Sequence, residues 1–127
     1  MVEEAGRGEQ LKLPSSTDIE RLVLGAILLN ESAYVQIAEK LEAEHFTMER
    51  HRRIFGRMKD LFERGEHIDH VTVANELISQ NQLEAGGISI IASLTEGIPE
   101  IANLGSYIAI LQDKLVRRKM LHAAKKL

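Results

Sequence analysis

The stretch EHFTMERHRRIFGRMKDLFERGEHIDH, Glu44 to His70, decides how this chain folds. Within it His51, Ile54, Phe55, Met58, Leu61 and Phe62 recur at i, i+3, i+4, i+7, i+10 and i+11, one apolar face of an α-helix. Thr47 is placed to cap that helix, and Gly65 sits where a helix C-terminal glycine belongs. The stretch also holds four of the five histidines and six of the sixteen Lys and Arg residues, which raises a metal site and a nucleic-acid stripe as rival readings. Arg50, Arg53, Arg57 and Arg64 share a side of the helix away from the apolar stripe. Glu49 and Asp60 stand four residues before Arg53 and Arg64, the favourable orientation for helical ion pairs. No aromatic residue stands on that side to stack bases, so it reads as a solvated, self-paired face. His51 lies on the apolar stripe and reads as a core residue held by a hydrogen bond. His67 and His70 could share a zinc ion only with further ligands, and neither His45 nor His122 has the spacing to supply them. The expectation is no metal and no catalytic residue.

On the N-terminal side, residues 1–13 read as a disordered lead rich in Gly, Glu and Arg, and Pro14 stops any earlier helix. Thr17-Asp18-Ile19-Glu20 fits a capping box that opens the first helix. Its run Leu22 to Leu29 is apolar on all sides, which predicts burial from every direction, and Gly25 allows a close neighbour. Asn30 is a cap or turn residue. Tyr34, Ile37, Ala38 and Leu41 then recur at helical spacing.

On the C-terminal side, Asp69 is a good N-cap for a helix with Val71, Ala74, Leu77 and Ile78 facing inward. After Gly86-Gly87, Ile88, Ile91 and Leu94 predict a short helix, although Ile88 to Ile91 alone would pass for a strand. Gly97-Ile98-Pro99 breaks the chain, and Asn103 caps a long last helix. There Leu104, Ile108, Leu111 and Leu115 form one stripe, with Tyr107 beside it. From Val116 the apolar positions become Val116, Met120, Ala123 and Leu127, a heptad-like seam. A helix that changes its apolar face is leaving one core for a second partner, and the four seam residues are the candidate subunit interface. The seam is unfinished at Leu127, which suggests a piece of a longer protein. The fold expected is all-α, a compact bundle of about five to six helices ending in a long one.

The bulk numbers agree with such a domain. At 127 residues the chain suits one domain that buries roughly two thirds of its unfolded surface. It has no cysteine, so disulfides and thiolate metal sites are excluded. No signal pattern or membrane-spanning run is visible, and the expectation is a cytoplasmic protein. Residues 1–111 carry ten Lys or Arg against eighteen Asp or Glu, whereas 112–127 carry six against Asp113 alone. Arg117, Arg118, Lys119, Lys125 and Lys126 are therefore the candidate phosphate contacts. No glycine is followed by lysine, which excludes a phosphate-binding G-x-x-x-x-G-K-[ST] loop, and there is no G-x-S-x-G. The AGGIS glycines could cradle a phosphate but read better as a tight turn between helices.

Four pieces of the chain together resemble a known family. They are IERLVLGAILLN (Ile19 to Asn30), HFTMERHRRIFGRMKDLFERGEHIDHVTVANEL (His45 to Leu77), QLEAGGISIIASL (Gln82 to Leu94) and GIPEIANLGSYIAILQDKLVRRKML (Gly97 to Leu121). Their order and spacing resemble the N-terminal domain of bacterial replicative DNA helicases, the DnaB family. Glu20, Leu24 and Gly25 match its first-helix pattern, and Phe46, His51, Ile54 and Phe55 its F…H..IF. Asp69 and Thr72, Gly86 and Gly87, and then Pro99, Asn103, Tyr107 and Arg118 match the rest. The chain departs at Ile19, where the family prefers Ala, at His45, where it prefers Asp, and at Ile90, where an aromatic is usual.

The resemblance implies a globular head over 14–103 and, over 104–127, the truncated first arm of an antiparallel helical hairpin through which neighbouring domains pair. The parent would be a hexameric, ATP-driven helicase whose N-terminal domains form a collar and dock the helicase-binding domain of primase. ATP, magnesium and most DNA contacts would belong to a separate motor domain absent from this chain, which needs no cofactor and meets no membrane. Two other functions compete. One is a DNA-binding module using Lys114 with the five basic residues named above. The other is the related helical domain of a primase C-terminus.

Overall fold

The computed structural model describes residues 15–84, 86–98 and 103–126. The expected lead at 1–13, Pro14, Pro99 and Leu127 lie outside the described residues. Among the described residues there are six α-helices, one 3₁₀ turn and no strand. They are α1 (Ser16–Leu29), α2 (Ala33–Ala38), the 3₁₀ turn (Ala43–His45), α3 (Glu49–Glu63), α4 (His70–Ser79), α5 (Gly87–Ser93) and α6 (Leu104–Lys126). No described helix is long and apolar enough to cross a membrane.

Helix α1 is the axle of the head, packed against α2, α3 and α6. Its all-round apolar run is buried from Val23 to Leu28, but not at the predicted ends: Leu22 is half-buried and Leu29 is 57% exposed where the helix leaves the core. At Gly25 an added Cβ would lie 2.2 Å from both the Leu94 carbonyl oxygen and Ile98 Cδ1, so only glycine lets α1 and the end of α5 meet at this distance. The cap of α1 differs from the sequence reading. Ser15, not Thr17, accepts the N–H of Asp18 at 3.1 Å, and the Asp18 carboxylate accepts the N–H of Ser15 in return. Ser15–Asp18 and Thr17–Glu20 are equally good boxes locally, but Glu20 is needed elsewhere.

Helix α3 buries His51, Ile54, Phe55, Met58 and Leu61 as its period predicts, whereas Phe62, the last residue of the stripe, is 48% exposed. Thr47 does not cap α3; its hydroxyl donates to Glu20 instead, and Met48 precedes the helix without a side-chain cap. Gly65 ends the helix at φ 75°, with the Glu66 N–H returning to the Leu61 carbonyl at 2.9 Å, the six-to-one bond of a Schellman motif. The arginine face is self-paired as expected, with one change of partner. Arg53 meets Glu49 at 2.8 Å and Glu84 at 3.3 Å, Arg57 meets Asp60 at 3.1 Å, and Arg64 turns to Glu66 and Glu76 rather than Asp60.

Asp69 caps α4 as predicted, accepting the Thr72 N–H at 2.9 Å. Leu77 faces inward as predicted, with Ala74 half-buried against the core, but the other two predicted positions do not. Val73 and Leu77 are buried, while Val71 and Ile78 are exposed. The segment Gly87–Ser93 is helical, with Ile91 and Leu94 in the core and Ile88 on the surface. Helix α6 then lays Leu104, Ile108, Leu111 and Leu115 into the core, against α1 and the 3₁₀ turn.

Candidate interaction surface

The geometry of the head is set by one buried carboxylate. Glu20 of α1 is fully buried and accepts from His51 Nδ1 at 2.8 Å, the Thr47 N–H at 2.8 Å and the Thr47 hydroxyl at 2.6 Å. The Met48 N–H and the Ser16 hydroxyl lie at 3.4 Å. Burial by itself pushes this carboxyl up, but the hydrogen bonds from His51, Thr47 and the two backbone N–H groups outweigh it and hold the group at about 2. Glu20 thus satisfies the N-terminal end of α3 and ties it to α1. Read in sequence as half of a capping box, its role was missed; a lone carboxylate leading into an all-round apolar helix was the available signal.

The 3₁₀ turn positions the last helix. His45 Nδ1 accepts the Glu42 N–H at 2.9 Å, the task a carboxylate would perform where the family prefers Asp. The turn presents the Glu44 carbonyl to Arg118 at 3.0 Å and the Glu44 carboxylate to Lys119 at 3.3 Å, while the Lys40 carbonyl, just past the end of α2, accepts from Gln112 Nε2 at 3.2 Å. Arg117 pairs with Asp113 at 3.0 Å. Three of the five candidate phosphate contacts are therefore engaged within the chain. Lys125 is exposed, and the side chain of Lys126 lies outside the described part.

Three of the four seam residues are exposed. Val116 is 54% and Met120 67% exposed, and Ala123 is exposed beside them. The core stripe of α6 ends at Leu115, and its continuation carries Arg118, Lys119 and His122 instead of apolar side chains. At 3.6 residues per turn the seam is rotated by roughly a third of a turn from the core stripe. It cannot reach the head and points to solvent.

A second exposed apolar feature escaped the sequence reading. Phe46, Phe55, Tyr34 and Phe62 form a run of rings, with successive centroids 5.1, 5.8 and 4.8 Å apart, leading from the core to the surface between α2 and α3. Phe62 at its outer end and Val35, 46% exposed, floor a shallow trough. The sequence placed Phe62 inward because its period matches the core stripe.

No three described His, Asp or Glu side chains stand close enough to hold a metal ion. ATP and magnesium, which the resemblance assigns to a motor, find no matching phosphate loop in this sequence.

A helical head followed by the long helix α6 has counterparts among solved structures. The N-terminal domain of DnaB helicase from Mycobacterium tuberculosis superposes with a TM-score of 0.82 at 32% identity, covering 91% of this chain and 83% of that one. The corresponding domain from Helicobacter pylori, described with its interactions with primase, has the same fold, with a TM-score of 0.75 at 20% identity over 87% of each chain. Replicative DNA helicase DnaB of Geobacillus stearothermophilus is 38% identical over 112 residues, and replicative DNA helicase DnaC of Bacillus subtilis 36% over 112. Each match covers 87% of this chain and a quarter of the relative's length. The family model of the DnaB-like helicase N terminal domain matches residues 12–113, and the chain belongs to that family.

Proposed function

We propose that the chain is the collar domain of a replicative, ATP-dependent DNA helicase of the cytoplasm. It pairs with neighbouring subunits through the end of α6 and docks the helicase-binding domain of primase, while ATP, magnesium and DNA are handled by a separate motor domain. Residues 14–103 form the head, and 104–127 are the first arm of a helical hairpin. The observation that carries this reading is the seam of Val116, Met120 and Ala123, turned away from the head on a helix anchored to it by Gln112, Arg118 and Lys119. Each Val- or Met-sized side chain brought to full burial contributes about 1.5–3 kcal/mol, so the seam favours a partner. The primase contact of the Helicobacter pylori relative supports the second half of the proposal.

Direct DNA binding by the basic end of α6 is the weaker reading, because Arg117, Arg118 and Lys119 already have acceptors in the chain. Titrating the purified domain with the C-terminal domain of a cognate primase, and separately with single-stranded DNA, tests the choice. Saturable primase binding is expected. Tight DNA binding that falls steeply with salt, with no primase binding, would reverse the assignment.

A further inference from the structure

We propose that the hollow between α2, the 3₁₀ turn and α3 binds a small organic cation, with a guanidinium, amidinium or ammonium head on an apolar body. The hollow lies across Phe62 from the trough and shares no residue with the seam on α6.

The hollow measures 580 Å³, within the range of about 300–1,000 Å³ that small-molecule sites occupy. Its floor is apolar, with Tyr34, Phe55 and the half-exposed Phe62 packed as one group of rings. Gly56 of α3 also lines it, and a Cβ added there would meet nothing within 4 Å. Alanine would serve the helix better at this position, so the glycine keeps space open at a cost to α3.

Glu42, Glu44 and Glu63 rim the hollow against Lys59 alone. Lys119 holds Glu44 at 3.3 Å, whereas Glu42, Glu63 and Lys59 form no ion pair among the described residues. Even with both lysines counted, the rim keeps an excess of negative charge.

Tyr34 points to a ligand independently of that charge. It is 4% exposed, and among the described residues its hydroxyl has no hydrogen-bond partner. Buried hydroxyls are ordinarily satisfied. Burial, with Glu63 and Asp60 nearby, pushes the phenol up, so it stays a neutral hydroxyl whose oxygen can accept an N–H. A cationic head supplies that N–H and is neutralised by Glu63, while the ring of Phe62 takes the apolar body or the face of the head. An anion would be repelled by the rim, and a neutral ligand would leave its charge unused.

Benzamidine, a ring with an amidinium head, is the probe, titrated into the full chain by calorimetry beside its neutral counterpart benzamide. Saturable one-to-one binding of benzamidine is expected, at least about tenfold tighter than benzamide. Tyr34→Phe should weaken it about tenfold and Glu63→Gln about threefold, with helical content unchanged. Gly56→Leu fills the hollow from a position with open space and should abolish binding without lowering the melting temperature. Glu49→Gln, which removes a carboxylate from the arginine face of α3, should change nothing. Equal binding of benzamide, or an equal loss in Glu49→Gln, overturns the site, because the probe is then gathered by its ring or by acidic surface in general. Undiminished binding in Gly56→Leu or Tyr34→Phe places the probe elsewhere and overturns it as well, as does a titration that never saturates. Tighter binding of N-acetyl-arginine amide than of benzamidine would assign the hollow to an arginine side chain of another protein and overturn the small ligand.

Discussion

Glu20 and His51, 31 positions apart in sequence, meet at 2.8 Å inside the head, and this contact joins the first helix to the third. The His51 Nδ1–H donates to a carboxylate with no access to water. Removing the imidazole strips one hydrogen bond from a buried charge, which costs about 1.5–3 kcal/mol. His67 also donates to a glutamate, Glu31, but on the surface, and solvent screens that pair. His51→Ala is therefore expected to lower the urea midpoint far more than His67→Ala. Equal midpoints would show that the Glu20 cluster does not hold the head together.

The same carboxylate predicts how the domain responds to acid. Its folded value of about 2 lies below the unfolded 4.5, so the unfolded state binds the proton more tightly. The stabilisation is fully present above the unfolded value and is lost as pH falls from about 4.5 toward 2, on the order of 3 kcal/mol in all. Denaturation titrations across that window should show stability falling with pH in the wild type. Glu20→Gln should be less stable at neutral pH and much flatter through the window. An unchanged slope in the variant would assign the acid sensitivity to other groups.

Gly25→Ala is a test of the contact between α1 and the end of α5. The added methyl would meet a backbone carbonyl, that of Leu94, at 2.2 Å, and this atom cannot swing aside as a side-chain end can. Overpacking of this kind costs about 1–3 kcal/mol, far more than the few tenths that alanine gains over glycine in an open helix. The loss should appear in thermal unfolding. Gly56→Ala, in a helix position with open space, is the control and should not destabilise.

Val116→Asp with Met120→Asp puts two charges on the exposed seam without touching the core stripe that ends at Leu115. Sedimentation should shift toward the monomer, and far-ultraviolet circular dichroism should keep its helical content. If wild type and double variant sediment alike at high protein concentration, the seam is not an interface in this chain.

The all-helical class, the Asp69 cap, the glycine end of α3 and the buried run of α1 were all legible because each depends on a local rule. Residues whose role depends on what lies across the core were not. Thr17 and Thr47 both look like caps, yet Ser15 takes the first place and Glu20 recruits the hydroxyl of the second. Helix α4 carries apolar side chains on two faces, so period alone cannot choose between Val73 and the pair Val71 and Ile78 as companions of the buried Leu77. The choice falls to packing against α3 and α5. Of the candidate interface, the seam was visible as a change of apolar face within one helix. The trough was not, because Val35 and Phe62 belong to separate helices and become neighbours only when Tyr34 brings them together.

The run of rings also gives the molecule an optical handle. The chain has no tryptophan and only two tyrosines, so its ultraviolet emission comes from Tyr34 and Tyr107 alone. Tyr107 lies at the start of α6, whereas Tyr34 is 4% exposed and sits directly under the floor of the trough. A Tyr107→Phe chain would leave Tyr34 as the single emitter, placed where anything settling on Phe62 must be felt. Occupation of that surface could then be followed by light, without a label.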